Sequence, residues 1–158
     1  MRKHVLLFVC TGNCCRSQMA EAIARHVAGR QFDVHSCGAA PAGFVHPLAL
    51  AALDALGVSA EGLESKSWDV YLDKPIDIAI SVCEDAAAIC PVFPGDGVKV
   101  AWPMPDPSFT PGTDEERLEF AIRVASRLKL KIERLAALDL HSIGPDELRK
   151  ELDHLSDI

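Results

Sequence analysis

The chain of 158 residues is poor in aromatics, with one tyrosine, two tryptophans and an aromatic content of 6%. It also has no apolar stretch near the roughly 18 residues needed to cross a bilayer, so a membrane span is excluded and a soluble, cytoplasmic protein is expected. Positive charge is scarce. Sixteen Lys and Arg against 23 Asp and Glu give a formal charge of −7, the wrong sign for gripping a phosphate backbone or an anionic lipid surface. Neither nucleic acid nor membrane is therefore expected as a partner. Any anion must be held by a local device of backbone amides and one or two arginines.

Metal-binding spacing is missing as well. The six cysteines, at positions 10, 14, 15, 37, 83 and 90, form no Cys-x-x-Cys pair and have no His at zinc-finger distance, so no metal site is expected. In a reducing compartment such cysteines are core fillers or redox groups. Cys37 and Cys15 read as small buried hydrophobes, whereas Cys10, Cys83 and Cys90 need their own account.

A hydrophobic content of 49% with 25% charged residues is that of a folded domain. Val5 to Val9 is a continuous apolar run, too short for a signal-peptide core, and it reads as a strand buried on both faces. The pattern then alternates. A helix is expected from Ser17, as N-cap, to Ala28, a strand over Phe32 to Ser36, and a helix from Pro47 to Leu56. Further strands are expected over Ile76 to Val82 and Val98 to Trp102, with a short helix, Glu84 to Ile89, between them. Thr113 opens a capping box for a long helix reaching about Leu138. Residues 1–140 thus form one α/β domain of three layers, a four-stranded parallel sheet with helices on both faces. Residues 141–158 are expected to be a C-terminal extension with one short amphipathic helix.

In such a sheet, ligands bind outside the carboxyl ends of the strands. The loop after the first strand reads Cys10-Thr11-Gly12-Asn13-Cys14-Cys15-Arg16-Ser17. Its successive amides can curl around a tetrahedral oxyanion at the positive end of the following helix, with Arg16 as a bidentate clamp. The same field, with a hydroxyl from Ser17, favours a thiolate at Cys10, and a thiolate facing an oxyanion is a nucleophile. Displacement also needs a proton donor for the departing oxygen. Asp106, stiffened by Pro103, Pro105 and Pro107, is the candidate.

Cys83 and Cys90 flank the short helical segment. At a rise of about 1.5 Å per residue their Cα atoms would stand roughly 10 Å apart, beyond disulfide range, so they could bond only if the segment unwound. Fewer than two turns followed by Cys90-Pro91 make unwinding feasible.

The run Cys10-Thr-Gly-Asn-x-Cys15-Arg16-Ser17-Gln-Met-Ala-Glu21, the Cys83 and Cys90-Pro91 pair, and Trp102 with Asp106-Pro107 resemble the arsenate reductases built on the low-molecular-weight tyrosine phosphatase fold, over residues 4 to 138. That resemblance implies that Cys10 attacks arsenate held by the loop and Arg16 while Asp106 protonates the leaving oxygen. Cys83 then forms a disulfide with Cys10, releasing arsenite, and Cys90 takes over Cys83. No cofactor is bound; thioredoxin or a related thiol reductant restores the dithiol, and phosphate or sulfate would compete for the loop. Departures from the pattern are Cys14 in place of a common Ser and Cys37 in place of a common Ala, two extra thiols able to form off-pathway disulfides. Some relatives hold potassium beside the loop. Asn13, Glu21 and Ser36 match three of its ligands, but Glu64-Ser65-Lys66-Ser67 has no Asp for the fourth, and Lys66 could supply the positive charge.

Two other functions compete. A low-molecular-weight protein tyrosine phosphatase would use Cys10, Arg16 and Asp106 equally well, but Ser108 and Phe109, not tyrosines, follow Asp106-Pro107, and it has no need of Cys83 and Cys90. A non-catalytic phosphate-binding or redox-sensing module is the third.

Overall fold

The computed structural model describes residues 2–158. Four strands, β1 (His4–Cys10), β2 (Phe32–Gly38), β3 (Ile78–Ser81) and β4 (Val98–Ala101), form one parallel sheet in the order β2-β1-β3-β4. β1 is apolar without alternation and buried from Leu6 onward because it has a strand on each side. The chain passes from β1 to β2 on one flank and later to β3 on the other. The loops after β1 and β3 therefore diverge, leaving a crevice at their carboxyl ends. Cys10 ends β1 and Cys83 follows β3, so the order of the strands brings these two cysteines to one crevice.

Among the described residues five α-helices accompany the sheet: α1 (Arg16–Ala28), α2 (Pro47–Ala55), α3 (Glu84–Ile89), α4 (Asp114–Ala136) and α5 (Pro145–Leu155). α1, α2 and α4 pack on one another, α3 packs on β1, β3 and β4, and α5 packs on β4 and α4. Met19 and Ile23 of α1 and Leu128, Ile132 and Leu135 of α4 are fully buried, the expected consequence of apolar residues recurring every three or four positions. Thr113 caps α4 with a complete capping box. No helix among the described residues is long and apolar enough to cross a membrane.

Several expectations shift: β2 runs on to Gly38 rather than Ser36, and α2 and β4 each stop one residue earlier than expected, at Ala55 and Ala101. Ser17 is not the N-cap of α1; Cys15 holds that position without a side-chain cap, because the Ser17 hydroxyl is committed elsewhere. β3 spans Ile78–Ser81 rather than Ile76 to Val82, although the amides of Asp77 and Val82 still reach Val5 and Val9 carbonyls at 3.1 and 2.9 Å. α4 stops at Ala136 rather than Leu138, its last carbonyls taken by the Ala137 amide.

Gly97, just before β4, lies against the preceding strand's entry. A Cβ there would stand 1.9 Å from the Ile76 carbonyl oxygen and 2.8 Å from that of Asp77. Both obstacles are backbone and cannot swing aside. Gly97→Ala is expected to lose about 3 kcal/mol of stability in urea titration at an unchanged m-value; a loss below about 0.5 kcal/mol would show that the 95–97 turn relaxes freely.

Candidate active site

The loop between β1 and α1 turns on Asn13, which takes a left-handed conformation (φ 45°) and is fully buried. Asparagine tolerates that region better than most residues. Its side chain is held from three sides: the Lys66 amide donates to Oδ1 at 2.7 Å, and Nδ2 donates to Ser17 Oγ at 2.8 Å and Ser36 Oγ at 2.9 Å. Gln18, also buried, donates to the Asn13 carbonyl at 2.9 Å.

This geometry assigns the hydrogens. Ser36 spends its proton on Glu21 Oε1, 2.6 Å away. Ser17, already accepting from Asn13, is left with its own proton for Cys10 Sγ at 2.8 Å. The Asn13 amide adds a second donor to that sulfur at 3.2 Å. Cys10 Sγ thus sits at the floor of the loop with an O–H and an N–H aimed at it, an arrangement suited to a thiolate nucleophile. The side chains of Asn13 and Ser17 lie beneath the loop, with the Ser17 hydroxyl at Cys10 Sγ as the residues suggested. They build the cradle without lining it.

Arg16 reaches across to the loop after β4. Its Nη1 donates to the Met104 carbonyl at 2.9 Å and its Nη2 to Asp106 Oδ2 at 3.3 Å. Asp106 is pinned from its other oxygen by the Ser108 amide (3.0 Å) and hydroxyl (2.6 Å). Two cavities meet here. One of about 640 Å³ is lined by Cys10, Thr11, Gly12, Cys14, Cys15 and Arg16 on its loop side and by Asp106, Phe44, His46 and Phe109 around the mouth. The other, about 380 Å³, runs from Arg16 and Asp106 to Cys83.

Cys83 is buried at the start of α3, its sulfur 3.4 Å from the Thr11 hydroxyl and accepting from the Ala86 amide at 3.4 Å. The structure therefore brings Cys10, Arg16, Asp106 and Cys83 around one crevice. It does not bring Cys90 there. Cys90 closes the far end of α3, half-buried, its thiol turned to the Pro91 carbonyl at 3.6 Å.

Burial sets the remaining thiols apart. It pushes Cys15 up to about 12 and Cys37 higher still, and it raises Cys14 and Cys90. Cys15 and Cys37 are accordingly fillers, and Cys14, at the cavity wall, stays a protonated thiol at neutral pH.

The buried carboxylate of Glu21 has two cationic neighbours, Arg25 and Lys66, whose Nζ lies 3.8 Å from Oε1. Asn13 Oδ1, meanwhile, is occupied by the Lys66 amide. The residues present do not fit an alkali ion here, since a side-chain ammonium already faces the carboxylate. Among the described residues no group of three or more His, Cys, Asp or Glu is placed to hold a metal ion.

Residue types alone missed Asp85, which lines both cavities from the first turn of α3, and the aromatic mouth of Phe44 and Phe109. An acid in a helix's first turn is ordinarily explained by the dipole, and an isolated Phe carries no signal of its own.

With this geometry in view, comparison with known proteins is direct. Residues 5–136 match the family model of the low molecular weight phosphotyrosine protein phosphatases, and the chain belongs to that family. Within it, the chain is 36% identical over 136 residues to an arsenate reductase of Halalkalibacterium halodurans, covering 86% of this chain and 97% of the relative. A solved arsenate reductase in the phosphate binding state superimposes with a TM-score of 0.67 at 29% identity, over 85% of this chain and 97% of the other. The thioredoxin-dependent arsenate reductase of Corynebacterium glutamicum aligns with a TM-score of 0.58 at 30% identity, over 83% of this chain and 62% of its own. The matched region ends before α5.

Two measurements probe the cradle. Gly38 lies under the loop, where a Cβ would stand 2.7 Å from the Thr11 oxygen and 2.9 Å from the Asn13 nitrogen. Gly38→Ala is expected to cut turnover by about tenfold or more, as misplaced loop amides do, while the melting temperature falls only a few degrees; unaltered turnover would mean that the loop gives way. Activity is also expected to differ by less than about twofold between potassium and sodium salts, because the ammonium of Lys66 supplies the charge. Lys66→Met should make potassium activating.

Proposed function

We propose that the protein is a cytoplasmic arsenate reductase that works through a three-cysteine relay. The carrying observation is the placement of a second buried thiol, Cys83, beside the anion loop that holds Cys10, with its sulfur 3.4 Å from Thr11 Oγ1. Hydrolysis of a phosphate ester needs no such group.

Arsenate enters against the amides of residues 11–16, and Arg16 exchanges Met104 and Asp106 for its oxygens. That exchange frees Asp106 Oδ2 to take up a proton from solvent and deliver it to the departing oxygen. The Cys10 thiolate forms a sulfur–arsenic bond as the oxygen leaves as water. The Cys83 thiolate next attacks the Cys10 sulfur. A Cys10–Cys83 disulfide forms, the sulfur–arsenic bond breaks with its electron pair going to arsenic, and arsenic(V) leaves as arsenite. Two thiols have supplied the two electrons.

Cys90 then attacks Cys83 and returns Cys10 as a thiolate. For this step α3 must unwind, since its six residues hold the two cysteines roughly 10 Å apart. α3 is suited to it: six residues are below the length at which a helix holds itself, and Ala86 is its one buried residue. The resulting Cys83–Cys90 disulfide, flanked by exposed Ile89 and Val92, is presented to a dithiol reductant of the thioredoxin class.

A phosphatase reading draws support from Phe44 and Phe109 at the mouth, which could flank an aryl or alkyl group. One experiment separates the two: arsenate-dependent NADPH oxidation with thioredoxin and thioredoxin reductase, in wild type and Cys90→Ser, beside p-nitrophenyl phosphate hydrolysis. Arsenate turnover that falls at least about a hundredfold in Cys90→Ser, with ester hydrolysis unaffected, is expected. Brisk ester hydrolysis without arsenate turnover would make the protein a phosphatase. The relay also predicts faster amide hydrogen exchange across residues 84–95 in the oxidised protein than in the reduced one, and identical exchange would refute the unwinding.

A further inference from the structure

β4 joins two segments with opposing requirements. Before it lies the stretch from Cys83 to Gly97 that contains α3; after it the chain runs through Trp102 to Asp106. Yet β4 is an edge strand of four residues with β3 as its one neighbour. Among the described residues two backbone bonds extend the ladder towards the acid loop, Trp102 N to Ser81 O at 2.7 Å and Met104 N to Val82 O at 3.0 Å. A segment rearranging on one side of so short a strand would be felt on the other.

α5, which lies beyond the region matched to the family, meets the chain at this junction. The fully buried indole of Trp102 donates from Nε1 to the Leu152 carbonyl at 2.8 Å. That carbonyl belongs to the last turn of α5, where helix acceptors lack intrahelical donors. Beyond it, the fully buried Lys131 of α4 sends Nζ to the oxygens of Leu155, Ser156 and Ile158 at 2.7, 2.8 and 2.9 Å. An ammonium buried among three backbone oxygens at a helix C-terminus gains from the dipole there and has little freedom to leave. The last turn of α5 is thereby tied to α4 through Lys131 and to the acid loop through Trp102, and the Leu152 side chain is fully buried.

We propose that α5 is an intramolecular fastening for the general acid: Trp102 and Lys131 are positioning residues through which the helix keeps Asp106 set opposite Cys10 while residues 84–97 rearrange. The inference rests on the relay and on the acid role given to Asp106 above. Its alternative is that α5 merely adds buried surface to the whole fold.

Full-length Lys131→Met and Trp102→Phe separate these possibilities, since each removes donors and keeps an apolar body. In hydrogen exchange, amides of residues 103–109 are expected to exchange about tenfold faster in both variants, with β1 and α1 unchanged. Unchanged exchange at 103–109, or acceleration spread evenly over β1 and α1, would overturn the proposal. In turnover, Lys131→Met should lower kcat about fivefold at constant KM for arsenate and have no further effect in an Asp106→Asn background. Independent losses in that double-mutant cycle would equally overturn it. Should the chain hydrolyse phosphate esters instead of reducing arsenate, the same cycle run on phenyl phosphate tests the fastening while the reductase reading fails alone.

Discussion

The chemistry of this protein hangs on the buried side-chain amide of Asn13. Its left-handed backbone reverses the loop so that successive amides converge, and its side chain sorts the protons beneath. Because Oδ1 is fixed by the Lys66 amide, Nδ2 must give its two hydrogens to Ser17 and Ser36. Ser36 is then committed to Glu21 and Ser17 to Cys10. A carboxylate more than ten residues from the nucleophile thus determines which way a hydroxyl points at sulfur. The cationic neighbours of Glu21 let that carboxylate remain buried, since an unpaired charge in the interior would be far more costly.

The same crevice asks for stiffness and for melting. Loop amides and Arg16 stabilise an oxyanion only while they stay where charge develops, and the buried network under Cys10 provides that rigidity. A disulfide between Cys83 and Cys90, by contrast, needs the backbone between them to change shape. The fold resolves this by assigning the two tasks to loops on different sides of the switch point: the loop after β1 is tied into β2 and α1, whereas α3 after β3 is a single short helix over the sheet. Under the proposed relay the brevity of α3, with one buried residue, serves the reaction and is not a defect in packing.

Much of this was legible in the residues. Continuous apolar β1, the 3.6-residue rhythm of α4 and the Thr113 capping box led directly to the observed elements, and the family seen in the Cys10 loop is the one the comparisons support. What residue types could not tell was the use of each polar side chain. The Ser17 hydroxyl was legible as a partner of Cys10, but the residue types also suggested a helix cap, and only three-dimensional placement shows that it serves the sulfur and not the cap. Nothing in the neighbours of Lys131 along the chain announces that it meets the end of α5. Asp85 was invisible for a similar reason: its partners, the two cavities, are assembled from loops far apart in sequence.

Electrostatics at the crevice follow from the same division between local and global. The whole chain is acidic, and the cavity walls repeat the pattern, with Glu84, Asp85 and Asp106 against Arg16 as the one Lys or Arg side chain lining them. Long-range attraction therefore cannot be what retains an oxyanion. Backbone amides act over one hydrogen-bond length and Arg16 through a fork of two donors, so recognition depends on the tetrahedral shape of the anion more than on its charge. A flat or singly coordinated anion engages fewer of those amides while meeting the same acidic surroundings. Under the proposed function the negative walls sharpen the selection for anions that fill the whole cradle, since a poorer fit meets the same repulsion with fewer amides.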